Sequence, residues 1–515
     1  MNNLWYTRDI EPKFRQLEFF SLKTRSNPIY LQQTDFDKGT YRITKPGLYI
    51  LSESIVFHPN PHNDFKPTIE QFNDNVYSPN PYRLGFFAAI TIECSNVVLD
   101  LNGFQISQST LHNLKQRFFA LIETANTPFI PKTGPSNFGN DINAAHSTII
   151  KNGCLDLSSH HGIHGNNNDG LLIHDIIFKN FEVAAISLNG GKHIFIKDCQ
   201  IKSINTNISS LHTLSQCLFA APFLNTIQEK YPDAYLQTNN GKKTIQYIKD
   251  KVETETALFI NSHTSDNSIQ YDGIFKNVSG LLDGNAYGIV LNSTGPVVGA
   301  FKDYSPSNTR NNYIVIENTT IENIISDGGE VLGYGLNDEI KDGSYGKNQL
   351  IGPVGDIIQF ENVLNEDGFY IGNTLTDMQL IINKYGTSSQ EKGRGNVPST
   401  MIQAIEENLQ SVRDIKKEHG YYCISGRDSM GHHMKGTTGI FISQGQHVVL
   451  KENTINNISN NGLGNTASSE SSGILLSGTN HITMMNNTID NISSKKENNA
   501  VNIRYKLQNN NISIL

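Results

Sequence analysis

Charge is scarce in this sequence. Asp, Glu, Lys and Arg make up 17% of the 515 residues, and 41 basic side chains stand against 49 acidic ones. A formal charge of -8 offers no basic groove for a phosphate backbone, so nucleic acid is not expected as a partner. No uninterrupted apolar run approaches the roughly 18 residues of a spanning helix, so no membrane span is expected. Cysteine is also sparse. Cys94, Cys154, Cys199, Cys217 and Cys423 are scattered without a CxxC pair, and an odd number cannot pair completely within the chain. They read as free thiols, mostly small core residues. The opening MNNLWYTRDIEPKFRQLEFF lacks a basic segment followed by an apolar stretch and a small-residue cleavage site, so no secretion signal is expected.

Asn and Gly are abundant instead, at 60 and 42 residues. Both tolerate left-handed backbone angles and both disfavour helix, so the chain is expected to turn often between short strands. A hydrophobic share of 37%, with 25 Phe and 20 Tyr, is too high for a disordered chain.

Internal repetition organises these residues. TIIKNGCLDL from Thr148, LLIHDIIFKN from Leu171 and IFIKDCQIKS from Ile194 superpose at an offset of 23, placing Ile150 over Ile173 and Ile196, and Leu155 over Phe178 and Ile201. TTGIFISQGQHVVLKENTINNIS from Thr437 matches SSGILLSGTNHITMMNNTIDNIS from Ser471 at an offset of 34, the excess being the turn insertion NNGLGNTASSE. Each unit reads as a Gly or Ala before a short alternating strand, an Asn or Gly turn, a second strand, then Asn-x-x-Ile-x-Asn-Ile. Such a unit cannot bury its own apolar face, and stacking must supply the core. Helices of ten residues do not fit and the leucine-rich pattern is absent, which leaves a parallel β-helix with inward ladders of Ile, Leu, Val and Phe. Asn453 with Asn487, and Asn457 with Asn491, are expected to bond between turns as scaffold rather than to contact a ligand.

NVVLDLNGFQIS at 96–107 and the segments HIFIKDCQI, HVVLKENTI and HITMMNNTI resemble the right-handed parallel β-helix, pectate-lyase-like superfamily, over roughly Phe86 to Arg504. The resemblance implies an all-β, right-handed, single-stranded parallel β-helix with an amino-terminal cap and helical insertions. It does not imply one activity, since the superfamily includes lyases, hydrolases, tailspikes, adhesins and noncatalytic virion proteins. Asn, Ile and Lys usage is also similar to that of β-helix proteins from giant DNA viruses of amoebae, which implies a virion or host-cytoplasmic location.

Residues 1–83 are assigned to an amino-terminal cap or small β domain, and 84–515 to the β-helix, with insertions near 111–140, 210–260 and 385–420. The first insertion carries a helical pattern at Leu114, Phe118 and Leu121. The third aligns Ile402, Ile405, Leu409 and Val412. About 250 to 300 residues in coils of about 23 predict about 11 to 13 coils, a rod of about 50 to 60 Å.

Candidate chemistry is sparse. Carbohydrate hydrolysis needs one acid for the leaving oxygen and a second for water. The hydrolase patterns Asn-Thr-Asp, Asp-Asp, Gly-His-Gly and Arg-x-Lys are all broken, with Gly431-His432-His433 the nearest fragment. A lyase would need calcium-binding acids and an Arg or Lys base, for which Asp327, Glu330, Asp338, Asp356, Arg427 and Asp428 are weak candidates. His160, His161 and His164 are candidate metal ligands, but a turn carrying them into solvent is the favoured reading, with no Cys or Glu nearby in sequence to complete a site. No cofactor is expected, and calcium only for a lyase. These observations favour a noncatalytic structural or attachment protein, virion-associated, binding glycans or virion surface components. A polysaccharide lyase or glycoside hydrolase acting on an acidic polysaccharide is the alternative. A homotrimer is compatible with tailspike-like relatives, although no coiled-coil tail compels one.

Overall fold

The computed structural model describes residues 12–17, 27–63, 65–82, 85–116, 119–128, 142–181, 183–205, 235–238, 241–244, 246, 250, 286–292, 311–326, 437–443, 445–460, 470–477, 479–494, 498–504 and 512–514. Its strands stack in three parallel ladders. The first runs through Tyr41–Ile43, Ala88–Ile92, Ala120–Glu123, the starts of His161–Phe181 and Ala184–Lys197, then Ala286–Asn292, Thr437–Ser443, Ser471–Ser477 and Asn498–Arg504. The second runs from Ile29–Leu31 through Gly47–Leu51, Val97–Asp100 and the start of Thr148–Ser158. It continues through the middle of His161–Phe181 and the end of Ala184–Lys197 to Asn312–Glu317, Gln446–Lys451, Asn480–Met485 and Ile512–Ile514. The third comprises Ile55–Phe57, Gln105–Gln108, the ends of Thr148–Ser158 and His161–Phe181, then Gln200–Asn205, Thr320–Ser326, Thr454–Asn460 and Thr488–Ser494. The architecture is a repetitive, largely parallel all-β solenoid.

The repeat registers read from sequence are the observed ones. Ile150 pairs with Ile173 and Ile173 with Ile196; Leu155 pairs with Phe178 and Phe178 with Ile201; Thr437 pairs with Ser471. Alternation sends one face of every strand inward, and a single buried cluster draws on all three ladders, including Ile163 and Ile186, Ile173 and Ile196, and Phe178 and Ile201. Burying each such side chain contributes about 1.5–3 kcal/mol before entropy is subtracted.

Eight coils carry all three strands among the described residues, fewer than the 11 to 13 expected. Consecutive ladder strands are separated by long stretches of sequence, from Asn205 to Ala286 and from Ser326 to Thr437. At the strand spacing, eight coils extend about 40 Å. The strands between Ile29 and Phe57, expected as a cap or small domain, pair parallel and in register with the next coil and are the solenoid's first turn. Ahead of them, a short helix at 12–17 lies along the side of the solenoid, where Phe14 and Leu17 cover an outward apolar row of Val98, Ile149, Leu172 and Phe195. The helix expected through Leu121 ends at Lys115, and Ala120–Glu123 is a first-ladder strand whose Ile122 stacks between Ile90 and Ile163. Pairing with two neighbouring coils satisfies that strand's backbone and overrides its helical spacing. The helical pattern expected at Ile402, Ile405, Leu409 and Val412 lies outside the described residues.

The corners account for the Asn content. Of 23 non-glycine residues with positive φ among the described residues, 13 are Asn. They recur at equivalent places, as with Asn152, Asp175, Asp198, Asn318, Glu452 and Asn486 between the second and third ladders. The next residue turns inward. There the Asn453 side-chain amide donates to the Ile316 carbonyl and to Asn487 Oδ1, both at 2.9 Å, and Asn453 Oδ1 accepts from the Thr319 backbone N–H at 3.1 Å. The Asn453–Asn487 bond is thus scaffold. Asn457 and Asn491 bond instead to Asn323 and Asn456, each at 2.7 Å.

The Gly that opens each repeat has an equally local cause. At Gly439 a Cβ would fall 2.6 Å from the Gly473 carbonyl oxygen and 2.7 Å from Ile455, and Gly288 and Gly473 meet the same obstruction one coil either way. Replacing Gly439 by Val is expected to destabilise the fold by about 1–3 kcal/mol or more, read as a lowered denaturant midpoint at unchanged slope.

His112 illustrates the cost of burying a base. On the helix Thr110–Lys115 its ring lies among Phe57, Phe65 and Phe119, Nδ1 faces Gln108 Nε2 at 2.9 Å, and Nε2 has no hydrogen-bond partner. Burial lowers its pKa to about 3. The unfolded chain takes up a proton near the ordinary value of about 6.5 while the folded chain does not, so stability falls as pH drops from about 6.5 toward 3. His112→Phe should therefore lose less thermal stability between pH 7 and pH 4 than the native chain.

Candidate functional site

The described outward faces are mostly occupied by bonds between coils. Asp100 with Lys151, Asp156 with Lys179, Glu322 with Lys202 and Glu317 with Lys451 are register partners whose charges meet at 3.4, 3.7, 3.5 and 2.9 Å. At another corner His193, Tyr313, His447 and His481 form a row of stacked rings, with centroids 5.1, 4.8 and 4.9 Å apart. These contacts lock the register and leave each carboxylate beside a cation.

One group departs from that pattern. On the first ladder, Ile122, Ile163 and Ile186 point inward, so Glu123, His164 and Ser187 point outward as consecutive register partners. Glu123 Oε2 lies 2.6 Å from His164 Nδ1. His164 Nε2 faces the other way, 3.2 Å from Asn189 Nδ2, on the coil that carries Ser187. Asn189 also donates to Asn166 Oδ1 at 2.9 Å and accepts from Asn292 Nδ2 at 3.3 Å, which identifies the nitrogen as the end of its amide that faces Nε2. The Asn189 N–H directed at Nε2 requires a lone pair there, so the ring proton resides on Nδ1 and is donated to Glu123.

Burial sharpens this group. Glu123 is 1% exposed and its Oε1 has no hydrogen-bond partner, whereas His164 retains 8% and Asn189 is half-buried. Burial pushes the Glu123 carboxyl above the usual range, and contact with His164 draws it back down. Beyond Ser187 the same outward row becomes Val290, Phe441 and Leu475, all buried in an apolar cluster. The polar stretch therefore runs over five coils, from Arg42 through Thr91, Glu123 and His164 to Ser187.

The histidine turn expected in solvent is instead strand, with His161 and His164 both buried. The carboxylate partner comes from the preceding coil, 41 residues away. The His161 and His164 rings lie nearly parallel at 5.1 Å and His160 stacks on His161 at 3.9 Å, so the three imidazoles do not converge on one point. Among the described residues no group of three or more His, Cys, Asp or Glu is placed to hold a metal ion. Asp327, Glu330, Asp338, Asp356, Arg427, Asp428 and His432 lie outside the described residues. Glu123 was missed because Leu111–Asn126 fits a helical stripe; the competing signal is the strand-like Ala120-Leu121-Ile122-Glu123, which stands in register on Ala88-Ala89-Ile90-Thr91. Cys94, Cys154 and Cys199 are free thiols, and burial raises the Cys199 pKa to about 12. No helix among the described residues is long and apolar enough to cross a membrane.

Comparison with protein-family models, with curated proteins and with solved structures gives no match. The group stands on its own geometry.

Nitrogen-15 spectra of the imidazoles should show the Nδ1–H tautomer of His164. Glu123→Gln should weaken that preference, because a carboxamide can present either a donor or an acceptor.

Proposed function

We propose that this protein is a structural or attachment scaffold, associated with a virion, whose coils wind as a closed right-handed β-helix and whose surface binds glycans. The observation that carries the reading is the use of outward charges between coils: the four Lys–carboxylate pairs above occupy register positions and tie neighbouring coils together. A scaffold needs such bonding, since opposite charges facing each other across strands stabilise one register and like charges oppose a slipped one. A glycan hydrolase needs the reverse, two carboxylates flanking an open cleft. Stacked rings and Asn amides at the corners are suitable chemistry for sugar faces and hydroxyls. Trimeric association and a location in the virion or host cytoplasm belong to the same proposal.

The purified chain should retain glycans on an array while leaving the glycosidic bonds of acidic polysaccharides uncut, judged by the size distribution of pectin, alginate and hyaluronan after incubation. Depolymerisation that disappears when one carboxylate is replaced in a still-folded protein would overturn the scaffold reading in favour of a lyase or hydrolase.

A further inference from the structure

We propose that Glu123, His164 and Ser187, stacked outward on three consecutive coils, form an acyl-transfer triad that hydrolyses esters of small acyl groups. The proposal goes beyond the scaffold reading and does not depend on glycan binding.

Direction is the main argument. His164 is bonded through Nδ1 to a carboxylate on the coil before it, and its Nε2 points to the coil after it. On that coil Ser187 is the register partner of His164, and Asn189 lies two residues further along the same face. A carboxylate that holds the Nδ1 proton leaves the Nε2 lone pair as a base; the Asn189 amide occupies that lone pair in the resting structure, and the Ser187 hydroxyl, on the facing strand, takes its place in the reaction. Burial is the second argument. Glu123 is 1% exposed with an oxygen lacking any hydrogen-bond partner, an expensive arrangement that a solvated surface pair would not need. The carboxylate orients the imidazole and stabilises the imidazolium that forms, so Glu123 is a positioning residue while His164 and Ser187 are catalytic. Ser187 is 4% exposed and His164 8%, which excludes a bulky acyl group.

The atoms balance without a cofactor. Ser187 Oγ bonds to the ester carbonyl carbon as its proton passes to His164 Nε2. Collapse breaks the carbon–oxygen bond to the alcohol, which leaves with the proton from Nε2. Water then attacks the acyl-serine, again giving a proton to Nε2, and the acid departs as Ser187 Oγ is reprotonated. The Asn189 amide turns from Nε2 to the carbonyl oxygen as negative charge develops there.

p-Nitrophenyl acetate supplies the probe. After acid quenching, peptide mass mapping of the full chain should find an acetyl group on Ser187, with a burst of nitrophenolate. His164→Ala should reduce acetylation at Ser187 by about 100-fold or more. Glu123→Gln should slow it and Glu123→Asp should restore part of the rate; a merely structural role would leave the two folded variants alike. Ser187 free of acetyl in the folded native protein, or acetylated equally in folded His164→Ala, overturns the triad. Native-protein labelling decides even where a variant fails to fold.

Discussion

Register between coils is the constraint on which the rest of this structure depends. Strand spacing places each residue directly against its partner one coil away, and period-two alternation assigns every residue to the core or the surface. A slip of one position would send Ile163 and Ile186 outward and His164 and Ser187 into the apolar interior. The inward side chains cannot pay that penalty, so the register holds. Corner Asn residues add to it from outside the core: Asn453 binds the Ile316 carbonyl, the Thr319 N–H and Asn487, reaching the coils on both sides at once.

The same constraint determines what can vary. Gly288, Gly439 and Gly473 sit where a Cβ would strike the next coil's carbonyl, while the connection from one coil to the next spans as much sequence as lies between Asn205 and Ala286. An insertion at a corner disturbs one turn, and closing a longer loop adds only slowly to its entropic cost. A substitution against the stack disturbs two coils.

This division explains what could be read from sequence. The offsets of 23 and 34 gave correct partners because inward apolar positions repeat wherever coils stack directly. Eight coils are complete among the described residues where about 11 to 13 were expected, and interruption length carries no periodic signal that would set the number. The stretch ending at Leu121 was misread because a four-residue strand and a helical stripe are compatible with the same apolar spacing; only pairing with Ile90 and Ile163 decides between them. At the histidines the error was one of locality. His160, His161 and His164 looked like a loop cluster when judged by their sequence neighbours, but their chemical neighbours are one coil away. Glu123 is 41 residues before His164 and Ser187 is 23 after it, and nothing in local spacing joins the three. The candidate acids beyond Asp327 were gathered by residue type alone, without a register to relate them.

A solenoid makes such separation an advantage for chemistry. In an irregular fold, aligning an acid, a base and a hydroxyl requires three loops to be held independently. Here one ladder supplies the alignment, and the cost of ordering the backbone is already met by the core. The outward row that reads Glu123, His164 and Ser187 continues as Val290, Phe441 and Leu475 with the same geometry. Only side-chain identity separates the polar end of the row from its apolar end. Buried apolar neighbours on the row strengthen the nearby hydrogen bond between His164 and the Glu123 carboxylate by excluding water, so the two halves are physically connected. Scaffold and site are therefore consequences of one register, differing in which residues the sequence writes onto it.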